Sequence, residues 1–258
     1  MGALYKIDLN SDLGESFGNY KIGRDEDVIP LISSANIACG YHASDPVVME
    51  RTVRIAKEAG IAAGAHPGYP DLMGFGRRNM AVSPSEAKAY VLYQLGALDA
   101  FMKTIGLPMQ HVKPHGAFYN MAAKDAALAE AICEAVKEYN PELIILALYG
   151  GELEKCARAM GLRTASEFFA DRAYEDDGSL VNRRLEGAVI HDEEVAIART
   201  VKMIKEKKVT TIHGTEIELD CRSVCVHGDN EKALAFVRRI REAFAAEGIE
   251  IAPLHEIV

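Results

Sequence analysis

The sequence predicts an α/β protein built as a parallel β/α barrel, and three observations lead there. Short apolar segments alternate with longer amphipathic ones along almost the whole chain, the pattern of a parallel sheet wrapped by helices. Side chains able to do chemistry gather just after the short segments, usually beside a glycine. The first segment carries polar residues along one face, whereas parallel strands buried on both faces read as nearly continuous apolar runs. A polar line with a floor of small residues suits the inside of a closed barrel that opens into a polar cup. The other architecture with the same alternation is an open, doubly wound sheet.

The elements follow in order. The first strand, 4–10, puts Asp8 and Asn10 on one face, with Asp12 continuing the line, and Ile7 and Leu9 on the other. The second, 34–38, precedes a helix capped by Asp45, with Pro46 at its first position and Gly60 just past its end. The third, 62–65, places Ala62, Gly64 and His66 on one side. Ser83, Pro84 and Glu86 form a capping box before a long helix that stops near Gly106. The fourth strand is 111–113, with a helix around 125–139 after it. Strand 143–148 leads to a helix near 151–160, and strand 163–168 sets Glu167 in phase with Asp171. A strand at 188–190, a helix near 192–207, a hairpin excursion over 209–220 turning near His213-Gly214, a strand at 223–226 and a helix near 230–247 complete the chain. No linker rich in Gly, Pro or Ser divides it, so residues 1–258 read as one barrel domain.

Composition narrows the function classes. With 49% hydrophobic residues and nine prolines, the chain has the material for one large core. A net charge of −9 without a basic tract argues against nucleic acid as a partner. No apolar run approaches the roughly 20 residues of a membrane helix, and the first ten residues lack a signal-peptide core, which excludes a membrane partner. The five cysteines are odd in number, scattered and without a C-x-x-C pair. They read as reduced thiols of a cytoplasmic protein, with neither a disulfide framework nor a cysteine zinc site.

Six strands deliver polar groups to the carboxyl end of the sheet, where active sites of such folds lie. The expected catalytic groups are Asp12, His42, His66, Lys113, His115, Asp171 and His227; the expected substrate-binding groups are Asn10, Glu15, Arg77, Arg172 and Asp229. Two chemistries fit. Asp12, His42 and His66 are an N/O ligand set for a divalent metal. Without metal, His and carboxylate groups act as acids and bases while Lys113 or Arg172 stabilises developing negative charge. Arg77 and Arg78 follow a glycine-bearing loop and read either as a lid for a carboxylate or phosphate or as an exposed turn. Asp8 and His111 read as structural, His191, His213 and His255 lie outside the pattern, and Cys39 reads as a buried thiol. No G-x-x-x-x-G-K-[ST] loop is present, so ATP binding by this chain has no motif.

The stretches IDLNSDLGESFG, ANIACGYHASDP, GAHPGYPDLMGFGRR, HVKPHGAFYN, FFADRAYEDDGSLV and CVHGDN occur in that order between Ile7 and Asn230. Together they resemble the LamB/YcsF family. The resemblance implies a seven-stranded β/α barrel similar to glycoside hydrolase and deacetylase barrels. It also implies ATP-dependent opening of 5-oxoproline (pyroglutamate) to L-glutamate with partner subunits B and C, the ATP being bound by or shared with those partners. On that basis Arg172, with Arg77 or Lys113, is expected to bind the substrate carboxylate or phosphate. Asp12, His66 or His227 would handle protons and water. The competing expectations are a stand-alone metal-dependent hydrolase or deacetylase acting on a small polar amide, and a non-catalytic module that binds a small metabolite.

Overall fold

Seven parallel strands close on themselves in the computed structural model, which describes residues 5–228 and 230–258. They are β1 (Tyr5–Leu13), β2 (Ser34–Ala38), β3 (Ala62–His66), β4 (Met109–Val112), β5 (Ile144–Leu148), β6 (Arg163–Phe169) and, after the hairpin β7 (Lys208–Thr210) and β8 (Glu216–Glu218), β9 (Ser223–Cys225). The ring is closed by β9, which pairs with both β6 and β1. A further strand, β10 (Ile249–Ile251), adds to the first residues of β1 outside the ring. Around the barrel lie α1 (Asp25–Val28), α2 (Pro46–Ala59), α3 (Pro84–Thr104), α4 (Gly116–Ala122), α5 (Ala126–Tyr139), α6 (Glu152–Ala159), α7 (Glu193–Glu206) and α8 (Glu231–Ala246).

The caps act as the sequence predicts. Asp45 accepts from the Val47 and Val48 amides, and Ser83 with Glu86 forms a reciprocal box. Asp125, Asp192 and Asn230 cap α5, α7 and α8. The 188–190 segment is corrected: it is no barrel strand, and Val189 makes only an isolated antiparallel bridge to Arg172. Ala188 instead packs with Ala173 and Val181 within the long excursion after β6, a small apolar cluster separate from the main core. The seven-strand ring leaves no gap for an eighth strand. Elements α1, α4 and β10 were not anticipated, being short and without caps. Leu4, expected to open the first strand, lies outside the described residues. Among those residues no helix is long and apolar enough to cross a membrane.

The strand parity turns the barrel interior into polar layers. Asp8 accepts hydrogen bonds from Ser33 (2.7 Å), Ser34 (2.6 Å) and Ser223. Above it Asn10 donates to Ser223 (2.7 Å), and Asn36 donates to both Asn10 (2.7 Å) and Asp12 (2.8 Å). His111 donates from Nε2 to Asn36 (2.7 Å), so it braces this layer, as a structural residue would. The opposite end of the barrel is plugged. Leu254, fully buried, packs on Ile144, Leu146 and Ala165, while the His255 amide and ring both reach Gln110.

Gly64 sits where the β3–β4 register shifts. A Cβ there would stand 2.5 Å from the ring of His111 and closer still to its carbonyl oxygen. Only glycine lets the two strands approach this closely.

Burial pushes the Asp8 carboxyl up from 3.8 to about 6, its serine partners only partly opposing the shift. A carboxyl with a raised folded-state pKa favours the folded chain fully below the unfolded value. That contribution is lost as pH rises through 6. Relative to the parent, Asp8→Asn is therefore expected to gain on the order of 3 kcal/mol between pH 4 and pH 7. Denaturant unfolding of both proteins at the two pH values measures this, and a constant difference would mean that ionised Asp8 costs nothing.

Candidate active site

A cavity of about 910 Å³ opens at the carboxyl ends of the strands. Its floor is Lys113, delivered by the residue after β4 and almost fully buried. The ammonium lies 2.9 Å from Asp12 and 2.7 Å from Glu167, with Asn10 at 3.3 Å and the Cys225 sulfur at 3.5 Å. Burial by itself would lower the Lys113 pKa, but Asp12 and Glu167 outweigh it and hold it well above its ordinary value. Burial likewise works against Asp12 ionising, yet His66 and Lys113 hold that carboxyl well below the usual range. The Tyr119 hydroxyl donates to Glu167 at 3.0 Å, and burial next to that carboxylate pushes its own pKa well up, so it stays protonated.

A second cluster lies behind the wall formed by His66 and His115. His66 Nε2 is 3.4 Å from Asp12 and 3.0 Å from His115 Nδ1. Glu15 Oε1 is 3.1 Å from His42 Nε2 and 3.4 Å from His115 Nδ1. Burial keeps both His42 and His115 neutral, driving His115 down to about 3. Ligand-capable atoms of Glu15, His42, His66 and His115 all fall within 4.8 Å of one another. Asp12 falls instead with Cys225 and His227. Of the expected ligand set, His42 and His66 fall in this cluster with Glu15, while Asp12 sits between the two groups, one oxygen 2.9 Å from Lys113 and the other 3.4 Å from His66.

The upper wall is cationic. Arg172 donates to the Val181 carbonyl at 2.7 Å, and its buried Nε has no hydrogen-bond partner among the described residues. Arg77 also lines the cavity, its guanidinium 5.1 Å from the Phe75 ring centroid. Arg78 points away and pairs with Asp71, so only the first of the two adjacent arginines faces the site.

Of the residues expected from sequence, Asp12, His66, Lys113, His115, Arg77, Arg172 and His227 line the cavity. Asn10, Glu15 and His42 stand behind it, supporting those that do. Asp171 lines a neighbouring hollow of about 280 Å³ and lies 3.9 Å from His227. Asp229 lies outside the described residues. Cys39 is buried with its thiol pushed up to about 12 by burial, which removes it as a nucleophile. Sequence reasoning missed Glu167 and Tyr119 as members of the site. Glu167 had a signal, the lone carboxylate of strand β6 next to Phe168 and Phe169; Tyr119 had none, since it sits on the short helix α4.

The sequence model of the LamB/YcsF family matches residues 7–258. A 5-oxoprolinase A subunit from Clostridium beijerinckii is 65% identical over 254 residues, covering 98% of this chain and 100% of that one. A protein of the same name from Campylobacter jejuni is 57% identical over 255 residues, covering 99% and 100%. Among solved structures, a lactam utilization protein from Thermus thermophilus superposes with a TM-score of 0.91 at 46% identity, over 96% of this chain and 99% of that one.

Proposed function

The chain belongs to the LamB/YcsF family, and from that premise we propose that it is the A subunit of a 5-oxoprolinase, opening the lactam of 5-oxoproline to L-glutamate. The observation that carries this reading is Lys113, a buried ammonium on the floor of a cavity whose upper wall is cationic. A small ring bearing one carboxylate and one amide needs both features. The Arg172 guanidinium, helped by Arg77, takes the carboxylate, since guanidinium recognises carboxylates through directed hydrogen bonds. The amide oxygen then points down toward Lys113, where negative charge developing during attack is stabilised in a water-poor site.

Asp12, held ionised between Lys113 and His66, accepts the proton of the attacking water. His227, within 4.8 Å of Asp12, is placed to hand a proton to the departing ring nitrogen. An amide is a poor electrophile, and ATP supplies activation by phosphorylating its oxygen. Water then adds to the amide carbon, the C–N bond breaks, and a second water hydrolyses the resulting acyl phosphate to glutamate and inorganic phosphate. The cavity has no glycine-rich phosphate loop. ATP is accordingly assigned to partner subunits B and C, which hand over the activated ring with its carboxylate toward the rim arginines and its phosphoryl-bearing oxygen toward Lys113. A cytoplasmic location goes with this reading.

Glutamate release from 5-oxoproline, measured for this chain alone and then with B and C subunits and ATP, tests the proposal. Release only in the complete mixture is expected. Asp12→Ala and His66→Ala are each expected to lower it at least about 100-fold while circular dichroism stays unchanged. Normal turnover in both would remove these residues from the reaction. Amide hydrolysis by the chain alone would favour the stand-alone hydrolase, the reading to which the histidine cluster also lends itself.

A further inference from the structure

His66 and His115 face each other through nitrogens whose protonation is fixed by what stands behind them. His66 Nδ1 is 2.7 Å from the Lys113 carbonyl, and His115 Nε2 is 2.8 Å from the Phe75 carbonyl. Carbonyl oxygens only accept, so both of these outer nitrogens carry hydrogen. Unless one ring carries an extra proton, the inner nitrogens, His66 Nε2 and His115 Nδ1, are then bare lone pairs 3.0 Å apart. Lone pairs that close repel unless a positive centre sits between them. Carboxylates flank both: Glu15 lies 3.4 Å from His115 Nδ1, and Asp12 lies 3.4 Å from His66 Nε2.

We propose that His66 Nε2, His115 Nδ1 and Glu15 Oε1 form a three-point site for one divalent transition-metal ion, with His42 as a positioning residue. Ligand atoms at about 2.1 Å from an ion lie about 3.0 Å apart at right angles and about 3.4 Å apart at tetrahedral angles. The 3.0 Å between the two histidines and the 3.4 Å from His115 to Glu15 match, and Glu15 and His66 offer ligand atoms within 4.8 Å of each other. The carbonyls behind both histidines are the outer partners that ligating imidazoles ordinarily have. Two imidazoles and a carboxylate suit Zn²⁺, Co²⁺ or Mn²⁺ rather than Ca²⁺ or Mg²⁺.

His42 is not a ligand. Its ring stacks on His115 with 3° between the planes and 3.6 Å between centroids. An imidazole lone pair points in its ring plane, so an ion in the plane of His115 lies well out of the plane of His42. His42 Nε2 instead donates to Glu15 Oε1 at 3.1 Å, fixing the carboxylate from the outside. The inference rests on these side chains alone and does not depend on the ring-opening reading.

The full chain, stripped with a chelator and dialysed, is titrated with Co²⁺ followed by visible d–d absorption, and with Zn²⁺ by calorimetry. One ion per chain is expected. His66→Ala and His115→Ala should each weaken binding at least about 100-fold. His42→Phe, which keeps the stack and loses the Glu15 contact, should weaken it about 10-fold. His213→Ala, at an exposed histidine paired with Glu175, should leave it unchanged. Parent protein that takes up neither ion at saturating concentration overturns the proposal without recourse to any variant. So does uptake that survives both alanine substitutions. The facing nitrogens would then share a proton, with one ring an imidazolium. No substrate is present in this titration, so its failure leaves the glutamate-release assay to judge the ring-opening reading separately.

Discussion

Lys113→Met is expected to abolish glutamate release by the reconstituted complex, a loss of at least about 1000-fold, and to destabilise the barrel by about 3–5 kcal/mol. Both effects have one cause. Glu167, fully buried, and Asp12, half-buried, lie 2.7 Å and 2.9 Å from this ammonium, and the substitution leaves Glu167 with no counter-charge and takes from Asp12 its ammonium partner. Removing one partner of a buried ion pair strands the other, and that costs far more than the pair itself contributes. Denaturant unfolding reads the stability term, and assay of the protein well below its unfolding midpoint reads the catalytic one. A folded variant that still releases glutamate at the parent rate would take Lys113 out of the chemistry and leave it a purely structural cation.

Gly64→Ala is expected to cost about 3 kcal/mol or more, although it adds a single methyl group. The added carbon meets the backbone and ring of His111 across the register shift between β3 and β4, and neither is the loose end of a flexible chain. For the methyl group to fit, β4 must move outward. His111 then leaves Asn36, and Asn36 in turn loses its hold on Asp12. Activity is therefore expected to fall along with stability. Gly96→Ala, within α3 and with nothing near its would-be Cβ, is the control; it should gain about 0.5–1 kcal/mol. Comparable unfolding midpoints for the two variants would show that the strands yield easily at Gly64.

The barrel was legible because its grammar is local. Period-two polarity in β1, glycine and proline at the helix ends, and polar groups after each strand are all properties of a few neighbouring residues. The site was legible only as a set of strand ends. Which groups face each other depends on strand order and register, and these place Glu15 among three histidines and Asp12 between His66 and Lys113. Glu167 shows the same limit: parity put it inside, but only the closing of β6 against β9 brings it to Lys113. Segment 188–190 failed for the opposite reason. Ala188 joins a small cluster apart from the main core while Val189 and Ile190 line the neighbouring hollow, and three residues of pattern cannot tell that from a barrel strand.

The plug of Leu254 beneath the polar layers has a bearing on traffic through the molecule. A barrel sealed at its base is a cul-de-sac, and whatever arrives must depart by the same door. On the ring-opening reading, glutamate has to clear the doorway before the next ring can come in, so product and substrate compete for one passage. A partner subunit seated over that doorway would then govern arrival and departure together, and the cycle would turn at the pace at which it lets go.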